Sequence, residues 1–274
     1  MSDCSSCPSN GNCGKDKSSC GVKTNPNNKI KNVIGVMSGK GGVGKSTVSV
    51  MIAQLLRKKG YSVGILDADI MGPSIGRLTG LGGEKAYGTK EGILPVETKD
   101  GIKVMSLNFM IEDENQPVVW RGSLLSGCVK QFWEEVLWGE LDYLIIDMPP
   151  GTGDITLTIM QSVPLTGVIM VSIPQDMVSM IVSKSINMAK KLNIKIYGII
   201  ENMSYAICPH CDEKIKFHDD TNLKKFIDEN NVELLTELPM NANLATIAEK
   251  GYETIDEKTT EMFSKVISVI ENNK

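Results

Sequence analysis

The chain has 274 residues, of which 41% are hydrophobic and 23% charged, and its formal net charge is −4 at pH 7. A chain of this length and composition can bury a sizeable core, whereas its acidic balance provides no basic surface for nucleic acid. No stretch approaches the roughly 20 apolar residues of a membrane-spanning helix, and the N-terminus lacks the apolar segment of a signal peptide. These features predict a cytoplasmic globular protein that acts neither on nucleic acid nor in a membrane.

The first 28 residues differ in composition from the rest of the chain. They are mostly Ser, Asn, Gly, Lys and Cys, a composition that cannot bury a core. We therefore expect a Cys-rich flexible tail over residues 1–28 and one domain over residues 29–274. Four cysteines of the tail could together hold an iron–sulfur cluster or a zinc ion, or remain free thiols. They are Cys4, Cys7, Cys13 and Cys20.

A phosphate-binding motif follows the first predicted strand. Residues 38–46 read Ser-Gly-Lys-Gly-Gly-Val-Gly-Lys-Ser, which fits the pattern G-x-x-x-x-G-K-[ST] of nucleoside triphosphatases. The motif lies between an apolar run at 32–37 and a helical pattern at 47–59, which favours a functional motif over the alternative of a Gly-rich turn that matches by chance. Backbone N–H groups and the positive end of the helix dipole should surround the phosphates. The predicted nucleotide-binding residues are Gly39, Lys40, Gly41, Gly42, Val43, Gly44, Lys45, Ser46 and Thr47.

Three side chains of this loop have predicted roles. Lys45 is expected to contact the β- and γ-phosphates, and the Ser46 hydroxyl is expected to bind Mg²⁺. Lys40 comes directly after the first glycine of the motif and cannot readily fold back onto the phosphate of its own loop. We therefore expect Lys40 to reach a nucleotide held by a facing subunit, which predicts a homodimer with the nucleotide at its interface.

Two further apolar strands end in acidic residues. The run 61–66 is followed by Asp67 and Asp69, and the run 141–146 is followed by Asp147. Because parallel strands place their carboxyl ends at one edge of the sheet, these acids should face the phosphate-binding loop. Asp147 is the candidate for holding Mg²⁺ in a Walker B arrangement, and Asp69 for positioning the attacking water. The alternative for each residue is a helix N-cap or a loop acid.

Strands alternate with helices through most of the chain, which predicts an α/β fold with a doubly wound, mainly parallel sheet. Further strands are predicted over residues 167–172, 194–201 and 232–236. Helices are predicted over residues 123–138, 154–162, 176–192, 222–230 and 257–272. Cys128, inside the first of these helices, is expected to be a small core residue.

The pair Cys208 and Cys211 forms the sequence Cys-Pro-His-Cys. Two thiolates are half of a zinc or iron–sulfur site, which requires four ligands. His210 and His218, the two histidines of the chain, could complete a Cys2His2 zinc site within one subunit. Alternatively, the same pair from a second subunit gives four cysteines on a two-fold axis, and the dimer predicted from Lys40 favours this arrangement. Two free thiols on a loop are the structural alternative.

With these residues together, the chain closely resembles the Mrp/ApbC family of iron–sulfur carrier ATPases. This family belongs to the wider deviant-Walker group that includes MinD, ParA and the nitrogenase iron protein. The resemblance extends from about residue 29 to the end of the chain, and its most specific stretches are residues 37–46, 67–74, 120–122, 138–154 and 201–211. The Cys-x2-Cys pair in the last stretch separates the carriers from the partitioning ATPases.

The resemblance implies a P-loop fold like that of MinD and the nitrogenase iron protein. It implies a homodimer that binds ATP and Mg²⁺, holds a [4Fe–4S] cluster between two copies of Cys208 and Cys211, and transfers the cluster to apo-proteins. It also implies that Lys40 acts across the dimer and that Asn202 contacts adenine. Hydrolysis would be slow and would time the transfer.

The N-terminal tail resembles part of a second motif. Eukaryotic cytosolic relatives have an extra N-terminal cluster, and Cys4, Cys7 and Cys13 look like its last three ligands. The first ligand of that motif would precede Met1, and Cys20 is the candidate to replace it from the other side.

Three other functions fit parts of the sequence. A positioning ATPase of the ParA or MinD type would need a surface for DNA or membrane, and the chain shows no basic patch. A reductase like the nitrogenase iron protein would hold its cluster with one cysteine from each of two separate loops, and no such pair is found. An ATP-binding zinc protein would contain zinc and no iron.

Overall fold

The structure is a computed structural model that describes residues 24–111, 122–177, 180–216, 221–240 and 243–272. The predictions for Cys4, Cys7, Cys13 and Cys20 lie outside these ranges, as does the prediction for His218. In the described part of the chain, no helix is long and apolar enough to cross a lipid bilayer.

The centre of the described fold is a mainly parallel sheet. The strands, in chain order, are β1 (Lys29–Ser38), β2 (Val63–Asp67), β3 (Tyr87–Gly88), β4 (Ile93–Leu94), β5 (Val96–Glu97), β6 (Lys103–Met105), β7 (Glu140–Asp147), β8 (Gly167–Ser172), β9 (Ile196–Ile207), β10 (Lys214–Lys216) and β11 (Leu234–Pro239). Nine of them form one sheet in the order β10-β9-β8-β1-β7-β2-β6-β5, with β11 paired to β9, while β3 pairs with β4. Within this sheet only the β5–β6 and β9–β10 pairs are antiparallel.

The position of β1 fixes the location of the predicted site. It lies between β7 and β8, so the strand order reverses beside it, and ligands of open α/β sheets bind at such a switch point. The carboxyl ends of β1, β2 and β7 meet at one edge, where Asp147 pairs in register with both Asp67 and Val36. The predicted convergence of the loop and the acids is therefore confirmed.

Helices cover both faces of the sheet. They are α1 (Lys45–Lys58), α2 (Ile75–Leu78), α3 (Gly122–Glu135), α4 (Asp154–Ser162), α5 (Pro174–Met177), α6 (Met180–Lys191), α7 (Thr221–Asn230), α8 (Asn243–Lys250), α9 (Glu257–Met262) and α10 (Ser264–Glu271). Residues of α3, α4 and α6 pack in one core layer, and residues of α1, α8 and α10 pack in the other. The central strands are buried on both faces, which explains their continuous apolar runs.

The predicted α/β doubly wound fold is confirmed, and several element boundaries differ from the prediction. The closing helix predicted over 257–272 is two helices, α9 and α10, joined at the buried Phe263. The helix predicted to reach residue 138 ends at Glu135, because the Leu137 N–H donates to the Ile93 carbonyl and the chain becomes extended there. The strand predicted to end at residue 201 continues as β9 to Ile207, where it joins the cysteine loop.

Cys128 is a core residue, as predicted. It lies on α3, is 8% exposed, and packs in the same core layer as Phe132. Burial raises the pKa of its thiol to about 11, so the thiol stays protonated and unreactive at neutral pH.

Candidate nucleotide site and cysteine pair

The phosphate-binding loop connects the end of β1 to the start of α1. Gly42 and Gly44 have φ angles of 82° and 81°, in the left-handed region that glycine adopts at little steric cost. At Gly44 a side chain is also excluded by contact, since a Cβ atom would lie 2.2 Å from Asn202 Nδ2. The glycines of the motif therefore serve both the turn and the close packing of the loop against β9.

Lys45 lies where the loop meets the acidic edge of the sheet. Its side chain is 6% exposed, and its Nζ atom lies 2.9 Å from Asp147 Oδ1 and 3.6 Å from Asp69 Oδ2. The Nζ atom carries three N–H donors, and its ion-pair contacts within the described residues are these two carboxylates, so a donor remains for a further acceptor. A buried ammonium with donors to offer fits the predicted contact with the phosphates of a nucleotide.

Asp147 connects the loop to the third predicted strand. Its Oδ2 atom accepts a hydrogen bond from Ser46 Oγ at 2.6 Å, and its Oδ1 atom accepts one from Ser49 Oγ at 2.8 Å. The structure thus brings together the hydroxyl and the carboxylate predicted to hold Mg²⁺, and hard oxygen ligands suit that ion. Ser49 was missed by the sequence reasoning, although it lies on α1 three residues after Ser46 and therefore on a neighbouring position of the same helix face.

Asp67 is a second buried acid at this edge. Its Oδ2 atom accepts hydrogen bonds from Ser106 Oγ at 3.1 Å and from the Ile75 N–H at 3.3 Å. Burial, reinforced by the neighbouring Asp147 carboxylate, raises the pKa of Asp67 to about 8. Asp67 therefore keeps its proton at neutral pH, and the side chain of Asp147 is the one that contacts Lys45.

Replacing Asp67 with asparagine should reduce the pH dependence of the free energy of unfolding. The folded protein keeps the Asp67 proton up to about pH 8, whereas the unfolded chain releases it near pH 4. The folded state therefore binds an extra proton across this window. The contribution of Asp67 to the free energy of unfolding is complete below about pH 4 and is lost as the pH rises through about 8, by at most about 1.4 kcal/mol per pH unit. Urea unfolding between about pH 5 and pH 7.5 measures the slope, and an unchanged slope in Asp67→Asn would contradict the assignment.

Asp69 faces the same cleft from the loop after β2. It is half-buried, burial raises its pKa, and the charge of Lys45 opposes that effect. No helix begins at Asp69 or at Asp147, so the N-cap alternative for both residues is excluded; the next helix, α2, begins at Ile75. The position of Asp69 beside Lys45 is compatible with a role in positioning water, and that role stays a prediction.

The cleft above the loop has a volume of about 480 Å³. Among the predicted nucleotide-binding residues, Gly39, Val43 and Asn202 do not line the cleft, whereas Lys40 does and is exposed. Residues with no role predicted from the sequence also line it; they are Ser38, Gly72, Ser74, Arg77, Leu78 and Met203. The action of Lys40 across a dimer stays a prediction.

Asn202 lies beneath the loop. Its side chain is 6% exposed, and its Nδ2 atom donates a hydrogen bond to the Val43 carbonyl at 2.9 Å. In this structure Asn202 is therefore a contact of the loop backbone, and its predicted contact with adenine stays a prediction.

Cys208 and Cys211 lie in the tight loop between β9 and β10. The Cys208 N–H donates to the Glu213 carbonyl at 2.9 Å, and the Asp212 N–H donates to the Cys208 carbonyl at 3.0 Å. Cys208 is half-buried and Cys211 is exposed. Backbone N–H groups of His210 and Cys211 point at the Cys208 sulfur and lower its pKa, which favours the thiolate that binds metals.

The cysteine pair provides two possible metal ligands within the described residues. Within them, no group of three or more His, Cys, Asp or Glu side chains converges in a way that could hold a metal ion. Cys208 and Cys211 are therefore not joined by His210 in a three-ligand site, and His218 lies outside the described ranges. Completion by a second subunit and completion within one subunit both stay predictions.

A family model described as a ParA-type, NUBPL iron-transfer P-loop NTPase matches residues 29–273. An iron–sulfur cluster carrier protein from Clostridium perfringens is 45% identical over 265 residues, which cover 92% of this chain and 93% of the relative. The iron–sulfur cluster carrier protein from Methanocaldococcus jannaschii is 44% identical over 274 residues, which cover 97% of this chain and 94% of the relative.

Solved structures resemble the fold. A nucleotide-binding protein from Archaeoglobus fulgidus in complex with ADP superimposes with a TM-score of 0.71 at 42% identity, covering 82% of this chain and 88% of that chain. The cell division ATPase MinD from Pyrococcus furiosus superimposes with a TM-score of 0.62 at 20% identity, covering 89% of this chain and 99% of that chain. The second likeness concerns the fold alone.

Proposed function

Because the chain belongs to the NUBPL iron-transfer P-loop NTPase family, we propose that it is an ATP-dependent carrier of iron–sulfur clusters. Relatives of nearly the same length are named iron–sulfur cluster carrier proteins, and this chain retains both a nucleotide site and a thiolate pair. The observation that carries the proposal is the exposed loop with Cys208 and Cys211, whose backbone favours thiolate and which lacks further ligands within the described residues.

A half-site of this kind suits a carried cluster. A [4Fe–4S] cluster takes four thiolates, so two copies of the Cys208 and Cys211 loop supply the full set on the two-fold axis of a homodimer. A cluster held at the surface between two subunits is accessible to an acceptor protein, whereas a cluster buried within one domain is not. Recipients would be apo iron–sulfur proteins, met in the cytoplasm.

The nucleotide site would bind and hydrolyse ATP. Lys45 would contact the β- and γ-phosphates, while Ser46 and Asp147 would hold Mg²⁺, which neutralises charge on the phosphates when bound. Asp69 would orient water on the γ-phosphate side, beside Lys45. Hydrolysis would be slow and would time the release of the cluster.

Anaerobic analysis of iron, sulfide and zinc after reconstitution tests this function. We expect wild-type protein to hold about four iron and four sulfide per dimer at the bridging site. Cys208→Ser/Cys211→Ser should lose them, because its dimer lacks all four of the thiolates that would hold the cluster. Cys128→Ser, which alters a buried thiol, is the matched control and should keep the iron.

Any iron that remains in the double variant would belong to the N-terminal cysteines. Zinc at about one per chain with no iron would instead contradict the carrier function and indicate an ATPase with a structural zinc site.

A further inference from the structure

One strand connects the nucleotide loop to the cysteine loop. Asn202 lies on β9 and holds the Val43 carbonyl of the nucleotide loop, and Cys208 follows directly after the end of β9 at Ile207. Cys208 is six positions after Asn202, so the distance between their Cα atoms is at most about 20 Å in an extended chain. The two parts of the proposed function are thus joined by one uninterrupted stretch of backbone.

The stretch contains a bulge at its contact with the nucleotide loop. In the register of β9 and β11, Glu201 pairs with Glu237 and Tyr205 pairs with Pro239, so β9 has extra residues between these pairs. Met203, inside the bulge, has a φ angle of 55°. A residue other than glycine in this region is strained by about 1 kcal/mol or more, and such strain persists only where surrounding contacts maintain it.

Two buried hydrogen bonds maintain the bulge. On one side, Asn202 Nδ2 donates to the Val43 carbonyl at 2.9 Å, which turns the bulge toward the nucleotide loop. Across the bulge, Ser204 Oγ donates to Glu201 Oε2 at 2.5 Å. All three side chains of β9 in these bonds are buried, so the bonds are not exchanged readily for bonds to water.

Beyond the bulge, β9 is attached to its neighbours up to the cysteine loop. The Tyr205 carbonyl accepts a hydrogen bond from the Met240 N–H at 2.7 Å, and Ile207 pairs with Lys214 of β10. The Cys208 N–H then donates to the Glu213 carbonyl. These bonds form a continuous paired backbone from the bulge to the cysteine loop, along which a change in the geometry of the bulge would be transmitted.

We propose that Asn202 is a positioning residue that couples the nucleotide state of the loop to the geometry of Cys208 and Cys211. Nucleotide in the cleft fixes the loop backbone around Val43, Asn202 transmits that position to the bulge, and the paired strand transmits it to the thiols. This coupling rests on the nucleotide binding of the proposed function, but it concerns the protein without a cluster and can be measured there.

The test is the rate at which iodoacetamide alkylates Cys208 and Cys211 in the full-length, cluster-free protein, resolved by mass spectrometry. Rates are measured with and without saturating Mg·ADP or a non-hydrolysable ATP analogue, after the affinity of each variant for nucleotide has been determined. In wild-type protein we expect nucleotide to change the rate at Cys208 by about five-fold or more. In Asn202→Ala the change should fall to less than about two-fold.

A matched control separates coupling from stability. Asn32 is also a buried asparagine, 9% exposed, and its Nδ2 atom donates to the Asp142 carbonyl at 3.0 Å far along β1 from the loop. Asn32→Ala should lose similar stability but keep the wild-type response of Cys208 to nucleotide.

Ser204→Ala tests the same coupling without touching the cleft. It removes the bond to Glu201 and should reduce the response while nucleotide affinity stays within about two-fold of wild type. A wild-type response in both Asn202→Ala and Ser204→Ala overturns the coupling, as does bound nucleotide with no response in wild-type protein. If Asn202→Ala loses nucleotide affinity, Ser204→Ala alone decides. Failure of wild-type protein to bind nucleotide would instead contradict the proposed function.

Discussion

Replacing Lys45 with alanine should lower the rate of ATP hydrolysis by about 10²–10³-fold. The Lys45 ammonium is buried at the start of α1, in contact with Asp147 and Asp69, and with three N–H donors for two carboxylates it keeps a donor for a phosphate oxygen. A preorganised donor of this kind stabilises the charge that develops on the transferred phosphoryl group. The measurement is release of phosphate at saturating ATP, together with a thermal melt that shows the variant to be folded.

Lys58→Ala is the matched control for this variant. Lys58 is at the other end of the same helix, and its Nζ atom donates to the Ile255 carbonyl at 2.8 Å. This change should cost some stability but leave hydrolysis within about two-fold of wild type. Hydrolysis by folded Lys45→Ala protein at the wild-type rate would exclude Lys45 from the reaction.

Lys40→Ala should lose most hydrolysis, by about 10²-fold or more, while it keeps its affinity for ATP. Lys40 is exposed in the same loop as Lys45 and lines the cleft. A cation supplied by a facing subunit adds charge stabilisation in the transition state, and its loss leaves ground-state binding largely unchanged. Equilibrium binding of ATP and single-turnover hydrolysis measure the two effects separately.

Mixed dimers decide whether Lys40 acts across the interface. Neither Lys40→Ala nor Lys45→Ala protein should hydrolyse ATP alone, but a mixed dimer has one site with Lys45 in the binding subunit and Lys40 from its partner. Random mixing of the two variants should therefore restore about a quarter of wild-type activity. No recovery in a mixture shown to contain mixed dimers would place Lys40 on the nucleotide of its own subunit.

The location of the site was predictable because it depends on local pattern and sheet geometry. The nine-residue motif, the apolar strand before it and the acids after two further strands sufficed to place Lys45, Asp69 and Asp147 at one edge, and the structure confirms that placement. The mainly parallel α/β fold is confirmed for the same reason, and the family inferred from these motifs is confirmed by the comparisons.

What the sequence did not reveal depends on contacts between distant segments. The bulge at Met203 lies where β9 has more residues than the paired segment of β11. The alternation of apolar and polar residues along a strand does not reveal such a difference. Ser106 and Ser49 act on Asp67 and Asp147 through tertiary contacts, and a lone serine has no signature. The short strands β3 to β6 have only two or three residues each, too few to show a period.

The contacts of Asp147 lead to an expectation about the order in which Mg²⁺ and nucleotide bind. Its two oxygens already accept from Ser46 and Ser49, and the Lys45 ammonium lies against it. A divalent cation arriving alone would have to displace a hydroxyl donor and approach a fixed positive charge, without the phosphate oxygens that offset both costs. We therefore expect magnesium to bind only as its complex with nucleotide. Free divalent cations in solution should leave the contacts of Asp147 unchanged.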